Sequence, residues 1–441
     1  MGEPLEVIVI GGGIGGLCLA QGLRKAGVAV RVFERDDHPA SRWEGYRIHV
    51  DPAGARSLRA CLPAPLWEAF LATAGPGGDF AFLTPQLSEL VVVEESISYP
   101  HLAADPAESH YAVDRRTLRR LLLSGLGDVV AFGAEFVGYE HTADDRVAAH
   151  FADGTRVVGD VLVGADGVGS RVRRQYLPAA EPQPVGVGGV GQKTWLTEET
   201  RAWVPRRLQH GMNLVMDHGP LALFTAAYEP PHDARAVLER LAGDVPPGIE
   251  TPYILCALVT DPARLPPDLA TLDSAALRDL ADDLIAHWHP DLRRVLAESD
   301  PESRGCTVFT ASPEIPAWPS TRVTVLGDAI HTMPATGGLG GNAAMRDARL
   351  LARRLSAAAG GEQDLLAAIG DYEDALRDHG YAAVRAALKT RDRMLAHNPL
   401  RTMATRAWFR LCRLSPAVRR RTFQDRPDAP SAPRSWERSA T

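Results

Sequence analysis

Three stretches carry residue types and spacings suited to chemistry. The first, "GGGIGG" at 11–16, satisfies GxGxxG through Gly11, Gly13 and Gly16, with Ile14 and Gly15 between them. It directly follows the apolar run "LEVIVI" and opens the helical pattern "GLCLAQGLRKAG". Glycines are needed there because the turn is tight, the backbone must approach a pyrophosphate, and helix must pack closely on strand; the helix N-terminus then faces the anion. An acid about 20 positions on is expected to bond a ribose hydroxyl, and Glu34, followed by Arg35, ends the next strand-like run, "VAVRVF". Strand, turn, helix and acid together point to dinucleotide binding.

The second stretch is "DVLVGADGVGSRVRR", in which a buried strand delivers Asp166-Gly167 at its C-terminal end and Ser170 opens the next helix. Alone it reads as an Asx turn capping a helix. The third is "GDAIHTMPATGGLGGNAAMRDA" at 327–348. Strand "VTVL" delivers Gly327-Asp328, and the small-residue loop from Pro334 through Gly338, Gly340 and Gly341 lets backbone approach a flat ring. A helix is predicted from about Asn342, its partly positive N-terminus suited to an anionic ligand group. Alone it is equally a strand-loop-helix connection. His331 within it is a candidate proton relay or a turn residue bonding backbone.

Taken in order, the three motifs make residues 5 to about 360 resemble the group A flavoprotein monooxygenases, the para-hydroxybenzoate hydroxylase-like family. The resemblance implies that Gly11–Gly16 and Glu34 bind the ADP half of FAD. It implies that Asp166-Gly167, with Ser170 and Arg171, meet FAD and NAD(P)H, that Gly327-Asp328 bind the ribityl chain, and that the loop Pro334–Gly341 lies along the isoalloxazine. An arginine contacting FAD at the start of a helix matches Arg115 in "DRRTLRR", with Arg116 second and a solvated helix-face charge as the alternative. One departure stands out: "GYRIHVDPAGARSL" places Arg47 where many members carry a small residue near the flavin. It is expected to contact the flavin, to narrow the substrate side, or to be a surface strand residue. The "GY" pattern is faintly similar to the tetracycline-inactivating and polyketide-modifying branches.

The implied reaction is reduction of FAD by NADPH or NADH, capture of O₂ as a flavin C4a-hydroperoxide, and hydroxylation or epoxidation of an aromatic or polyketide-like small molecule in specialised metabolism. Baeyer–Villiger oxygenation uses the same intermediate. Since the flavin carries the chemistry, Arg47 and His331 are the catalytic candidates and no Ser-His-Asp set is needed. The alternative is a non-redox cyclase on the same fold, with FAD as a pocket wall. No WxWxIP motif suggests a halogenase.

The elements that must position these residues define an α/β fold: a Rossmann-like FAD-binding domain, an inserted, mainly antiparallel β-sheet substrate domain, and C-terminal helices. The FAD-binding domain is expected at 1–75, 106–180 and 306–360, the substrate domain at 76–105 and 181–305, a helical segment at 361–423 and a disordered tail at 424–441. "DRRTLRRLLLSGL" predicts an Asp114-capped helix, and 128–165 a β meander turning at Asp153-Gly154. Alternate residues Met212, Leu214, Met216, Phe224, Ala226 and Tyr228 are expected either to line the substrate pocket or to face the domain's own core. The Arg-rich helices after 380 are expected to cover the FAD domain, a membrane-surface role being the alternative.

Bulk properties exclude other classes. With 441 residues, 45% hydrophobic, the chain can bury a large core, and no apolar run approaches a membrane span. A net charge of −7 argues against nucleic-acid binding. The five cysteines lack metal spacing, which predicts no metal and a reducing compartment. The strand starting near residue 5 leaves no expected secretory leader, so a cytoplasmic monomer or homodimer is expected.

Overall fold

The structure is a computed structural model and describes residues 5–38, 46–98, 105–242, 251–395 and 398–424. A five-stranded, wholly parallel sheet runs in the order Val323–Val325, Val161–Gly164, Glu6–Ile10, Ala29–Phe33, Val130–Ala131. Val7, Ile8, Val9, Val161, Leu162, Val163, Val323 and Val325 are all fully buried, the continuous apolar pattern of strands covered on both faces. Helix Ile14–Lys25 packs on the long helix Gly340–Ala359 through its glycines: a Cβ on Gly22 would stand 2.9 Å from the Ala352 methyl, and one on Gly15 3.3 Å from the Ala344 methyl.

The expected meander is shorter than predicted. Phe136–His141, Val147–Phe151 and Arg156–Gly159 form it, whereas Val161–Gly164 leaves to pair in parallel with both Glu6–Ile10 and Val323–Val325. The run "VLVG" lacks the polar alternation of the other three strands, so it goes where both faces are buried. A small antiparallel sheet pairs Tyr111–Asp114 with Arg47–Val50 on one side and Gly75–Pro76 on the other.

A seven-stranded sheet follows the order Gly305–Ala311, Gln183–Trp195, Tyr253–Thr260, Leu221–Tyr228, Met212–Met216, Phe80–Leu83, Glu89–Val93. It is antiparallel throughout except where Met212–Met216 runs parallel to Phe80–Leu83. The sheet continues to Ala311, past the expected boundary at 305, because Gly305–Ala311 pairs with Gln183–Gly191. One face is covered by two helices the sequence reading did not single out, Ser274–Leu284 and Pro290–Ala297, which bury Ile285, Trp288, Leu292 and Val295 against Val215, Leu223, Ile254 and Cys256. Asp273 capping Ala276 N–H at 2.8 Å, with Leu277, Ala281 and Leu284 buried at helical spacing, was the available signal.

Helix Leu365–Met394 lies on Gly340–Ala359, as expected of a cover over the first domain. The last two helices, Pro399–Leu414 and Pro416–Phe423, correct that expectation by folding onto the edge of the seven-stranded sheet. The Phe82 ring lies 4.4 Å from Phe409 and 5.8 Å from Phe423, and Arg406 and Arg413 donate to the carbonyls of Met216 (2.7 Å) and Glu89 (2.9 Å). The expected disordered tail, beyond Gln424, lies outside the described residues. Among the described residues no helix is long and apolar enough to cross a membrane, and no group of three or more His, Cys, Asp or Glu is placed to hold a metal.

Because Phe409 fills the space over Phe82, Phe409→Ala is expected to lower unfolding free energy by about 2 kcal/mol, less than the ~3–5 of a fully buried phenylalanine. Urea titration measures this; an unchanged midpoint would show that the helix does not support the sheet.

Candidate active site

The carboxyl ends of three adjacent parallel strands carry the three motifs, so one sheet edge collects them. Ala165 N–H donates to Ile10 C=O (2.7 Å), Leu326 N–H to Gly164 C=O (2.9 Å), and Gly11 N–H to Phe33 C=O (2.8 Å). Gly11 has φ +110°, and a Cβ there would sit 2.3 Å from the Ala165 carbonyl oxygen. A Cβ on Gly16 would meet Gly11 O at 2.1 Å, whereas at Gly13 there is open space. The turn is thus closed on its strand side and open outward.

Glu34, 2% exposed, accepts from Gly12 N–H (2.7 Å) and Asp36 N–H (3.1 Å), while Arg35 is exposed. Arg119 donates to Gly12 C=O at 3.0 Å and stands 4.0 Å from Glu34. Sequence reading passed over Arg119, although its position one helical turn after Arg115 places the two on one face. Asp114 caps this helix through Arg116 N–H (2.9 Å) and Thr117 N–H (3.2 Å), and Arg115 at its first position lies within the electrostatic field of Asp328.

At the second motif Asp166 accepts from Ser170 Oγ–H (2.5 Å) and Arg171 N–H (2.8 Å), and burial raises its pKa against these bonds. Gly167 takes φ +76°. Arg173, fully buried, was also missed: it donates to Val168 C=O (2.8 Å) and Ala329 C=O (3.3 Å) and pairs with Glu181 at 2.7 Å. It therefore ties the second motif to the third.

Gly327 begins the third motif with φ +63°, and a short helix, Asp328–His331, follows. Fully buried Asp347 accepts from Gly327 N–H (2.8 Å), His331 Nε2 (2.6 Å) and His379 Nε2 (2.6 Å). Desolvation alone would raise the Asp347 pKa, but the two imidazoles more than offset it and hold the carboxyl far below its usual range. Burial likewise works against the His331 imidazolium, yet Asp347 wins and raises its pKa. For His379 burial prevails and the pKa falls. His331 is thus 1% exposed and turned into the protein, packed where a Cβ on Gly380 would meet its ring at 2.6 Å. That geometry ties His331 to the turn through Asp347.

Asp328 differs. Its side chain is exposed although protein surrounds it closely enough for desolvation to raise its pKa, the combination found on the floor of a cleft. Gly337 and Gly338 take φ +110° and +65° in the loop after Pro334, and the helix starts at Gly340, two residues before the expected Asn342. Asn342 is 4% exposed; it donates to His49 C=O (2.8 Å) and Gly338 C=O (3.1 Å) and accepts from Asp51 N–H (3.0 Å), fixing the loop to the strand Arg47–Val50. Gly341 faces open space.

Helices Ile14–Lys25 and Gly340–Ala359 begin at this edge with no side-chain cap, on Gly13 and Leu339, whereas Asp51, Asp114, Ser170 and Asp364 cap their own helices. Two uncapped N-termini present partial positive charge to the cleft. One suits a pyrophosphate and the other an anionic ring edge, so the residues fit FAD.

Arg47 is 5% exposed and donates to Gly77 C=O (2.8 Å), which removes the surface-residue alternative. Beside it, His110 lies 2.5 Å from Glu95 and 5.0 Å edge-on to His49, and its hydrogen bond holds the Glu95 carboxyl below the usual range. Burial lowers the His49 pKa, with His110 and Arg47 adding to the effect. In the seven-stranded sheet Met212 pairs with Ala226, Leu214 with Phe224 and Met216 with Ala222. These side chains, with Tyr228, lie on the face away from the covering helices. Leu214, Met216 and Phe224 form an apolar group there with Phe80, Val187 and Met394, whereas Tyr228 is buried with Ala112 and Tyr253. Tyr253 O–H donates to Asp114 at 2.9 Å, and Lys193 stands 3.8 Å from Asp114 and 4.3 Å over the Tyr253 ring. Desolvation lowers the Lys193 pKa to about 8, partly countered by Asp114.

Fold and strand-end geometry together give the class, that of the flavoprotein monooxygenases. The sequence profile described as FAD binding domain matches residues 4–217 and 281–424, and the chain belongs to that family, within the group A flavin monooxygenases. It is 32% identical over 398 residues to the dual O-methyltransferase/FAD-dependent monooxygenase elcB of Phaeosphaeria nodorum, covering 83% of this chain but 42% of that protein. The chain thus spans less than half the length of that relative. A Photorhabdus luminescens structure assigned as an FAD-containing monooxygenase is 33% identical, with TM-score 0.78, covering 89% of this chain and 99% of that one. Klebsiella pneumoniae HpxO complexed with FAD and uric acid shares the fold at 23% identity and TM-score 0.76, covering 97% of both chains.

Two outcomes test the site. Gly11→Ala is expected to fold but to retain FAD at least about tenfold more weakly, since parting the strand ends costs more than the ~1 kcal/mol of a simple Gly–Ala exchange; full flavin occupancy after gel filtration would overturn this. His331 has a raised folded pKa, so its ion pair stabilises fully below about pH 6.5 and less as pH rises through the raised value. The stability gap between wild type and His331→Gln, read by denaturant titration, should therefore narrow towards alkaline pH. A gap independent of pH would remove the charged pair.

Proposed function

We propose that the protein is an NAD(P)H-dependent flavin hydroxylase that inserts one oxygen atom of O₂ into an aromatic or polyketide-like small molecule. The observation that carries this reading is the uncapped N-terminus of Gly340–Ala359 beside the exposed Asp328. Bound FAD supplies hydride acceptance and oxygen activation. The chain's own residues bind and orient. Gly11, Gly13 and Glu34 form the adenosine end, Asp166 and Gly167 the middle, and Asp328 with Pro334–Asn342 the ring end. Arg115 and Arg119 bring positive charge to the same cleft. The helix N-terminus, a fixed dipole, favours negative charge on the reduced ring. Leu214, Met216 and Phe224 exclude water on the substrate side, and Arg47 borders it, a cation suited to a phenolate or enolate.

The relatives' names support an oxygenase of specialised metabolism. The test is anaerobic reduction of the purified flavoprotein by NADPH and NADH, with and without a panel of phenols and aromatic polyketides. A substrate accelerates bleaching and consumes oxygen on re-aeration; turnover without reductant or O₂ would establish the cyclase reading instead.

A carboxylate at Gly340, whose Cβ position lies 3.7 Å from Asp328 Oδ1, opposes the dipole. Gly340→Asp is therefore expected to slow flavin reduction about tenfold at full FAD occupancy, the effect of roughly 1.4 kcal/mol on a barrier. An unchanged stopped-flow rate would refute the dipole's role.

A further inference from the structure

Helix Pro399–Leu414 presents its apolar side to solvent. Thr402 and Cys412 are buried, and the Phe409 ring packs at a tilt against Phe82. On the other side Leu400 is 74% exposed, Met403 63%, Trp408 46%, Leu411 44% and Leu414 77%, with exposed Ala404 and Ala407 between them. Their spacing of three and four residues makes one stripe along the helix. Five of the nine large hydrophobic side chains exposed among the described residues are in this stripe. Scattered exposed apolar residues are ordinary, but a continuous stripe marks an interaction surface.

The charge around it is equally uneven. The chain carries a net −7, yet residues 399–424 contain seven arginines and no aspartate or glutamate. Arg406, Arg413 and Arg419 reach back to Met216, Glu89 and Glu94 and fasten the helices to the sheet. Arg410, Arg420 and Arg421 are exposed. Arg410 stands one turn before Leu414 and two turns after Met403, on the border of the stripe.

We propose that this face docks the protein peripherally on an anionic lipid bilayer. The leucines, Met403 and Trp408 enter the boundary between headgroups and acyl chains, and the arginines bind lipid phosphates while their stems follow the apolar surface. A helix of 16 residues is about 24 Å long, which suits lying in the interface and falls short of a span. A second copy of the chain is a poorer occupant. Stripe-to-stripe packing would bring two arginine borders together, with no acid in either segment to pair with them.

The test is flotation of the full-length flavoprotein with vesicles of phosphatidylcholine alone and with about one third phosphatidylserine. The protein is expected to float with the anionic vesicles and at least about a hundredfold more weakly with the neutral ones. Trp408→Ser with Leu411→Ser should abolish flotation. The triple variant Arg410→Glu, Arg420→Glu, Arg421→Glu should weaken it about a hundredfold, the sum expected for removing three cations near an anionic surface. Both variants change exposed side chains, so flavin absorbance and melting temperature should match wild type and separate lost docking from misfolding. No flotation of wild type with anionic vesicles overturns the proposal, as does flotation undiminished in the serine variant. Concentration-dependent dimerisation in sedimentation equilibrium, abolished by the serine variant, overturns it in favour of a second copy.

Discussion

A buried carboxylate cannot borrow solvation from water, so Asp347 must be satisfied by the protein, and its three donors come from three separate places. Gly327 N–H comes from the strand-to-loop turn of the third motif, His331 from the short helix after it, and His379 from the helix Leu365–Met394. Remove the carboxylate and the turn loses the acceptor that fixes Gly327 in its left-handed conformation, while the His331 imidazolium loses its counter-charge and the His379 imidazole its hydrogen-bond acceptor. Burial makes such an arrangement costly unless complete. The three bonds to Asp347 let Asp328, one residue beyond Gly327, project outward from a backbone that has little freedom to move.

A second constraint acts across the sheet edge. Parallel strands leave in register, so the first, second and third motifs can face one cleft only if each turn clears its neighbour. Gly11 and Gly16 clear it by lacking a Cβ, and Arg173 then bridges what the backbone leaves apart. Glycine here does two jobs: it permits backbone at the strand ends to touch, and at Gly13 and Gly341 it leaves the outward side open. The family profile matches both halves of this machinery and omits residues 218–280. That stretch supplies Leu221–Tyr228 and Tyr253–Thr260, central strands of the substrate-side sheet.

Much of this was legible in the sequence because local rules govern it. GxGxxG between strand and helix, the acid at Glu34, the Asp114 cap and the Gly327-Asp328 turn are each set by residues close together in the chain. The face shared by Met212, Leu214, Met216 and Phe224 followed from strand alternation alone. What escaped depends on tertiary partners. Arg119, Arg173 and Asp347 act through contacts over more than a hundred residues or across helices, and nothing in their neighbourhoods distinguishes them from solvated charges. The strand Val161–Gly164 was drawn into the meander because adjacency in sequence suggested hairpin pairing, whereas burial on both faces decided its place. The last helices were expected over the FAD domain because the chain is acidic overall and shows no lipidation signal. In the fold the aromatic side chains Phe409 and Phe423 chose the sheet.

Asp114 closes the account of how the two halves are joined. The same carboxylate that caps the helix of Arg115 and Arg119 accepts the Tyr253 hydroxyl and stands opposite Lys193, both from the substrate-side sheet. The seam between the domains is therefore not a neutral junction along which modules can be exchanged. A chimera that grafts a foreign substrate sheet onto this cradle inherits a buried negative charge, and the graft must bring its own lysine and tyrosine to meet it. Recombination between relatives of this architecture is free at the loops and restricted at this one carboxylate.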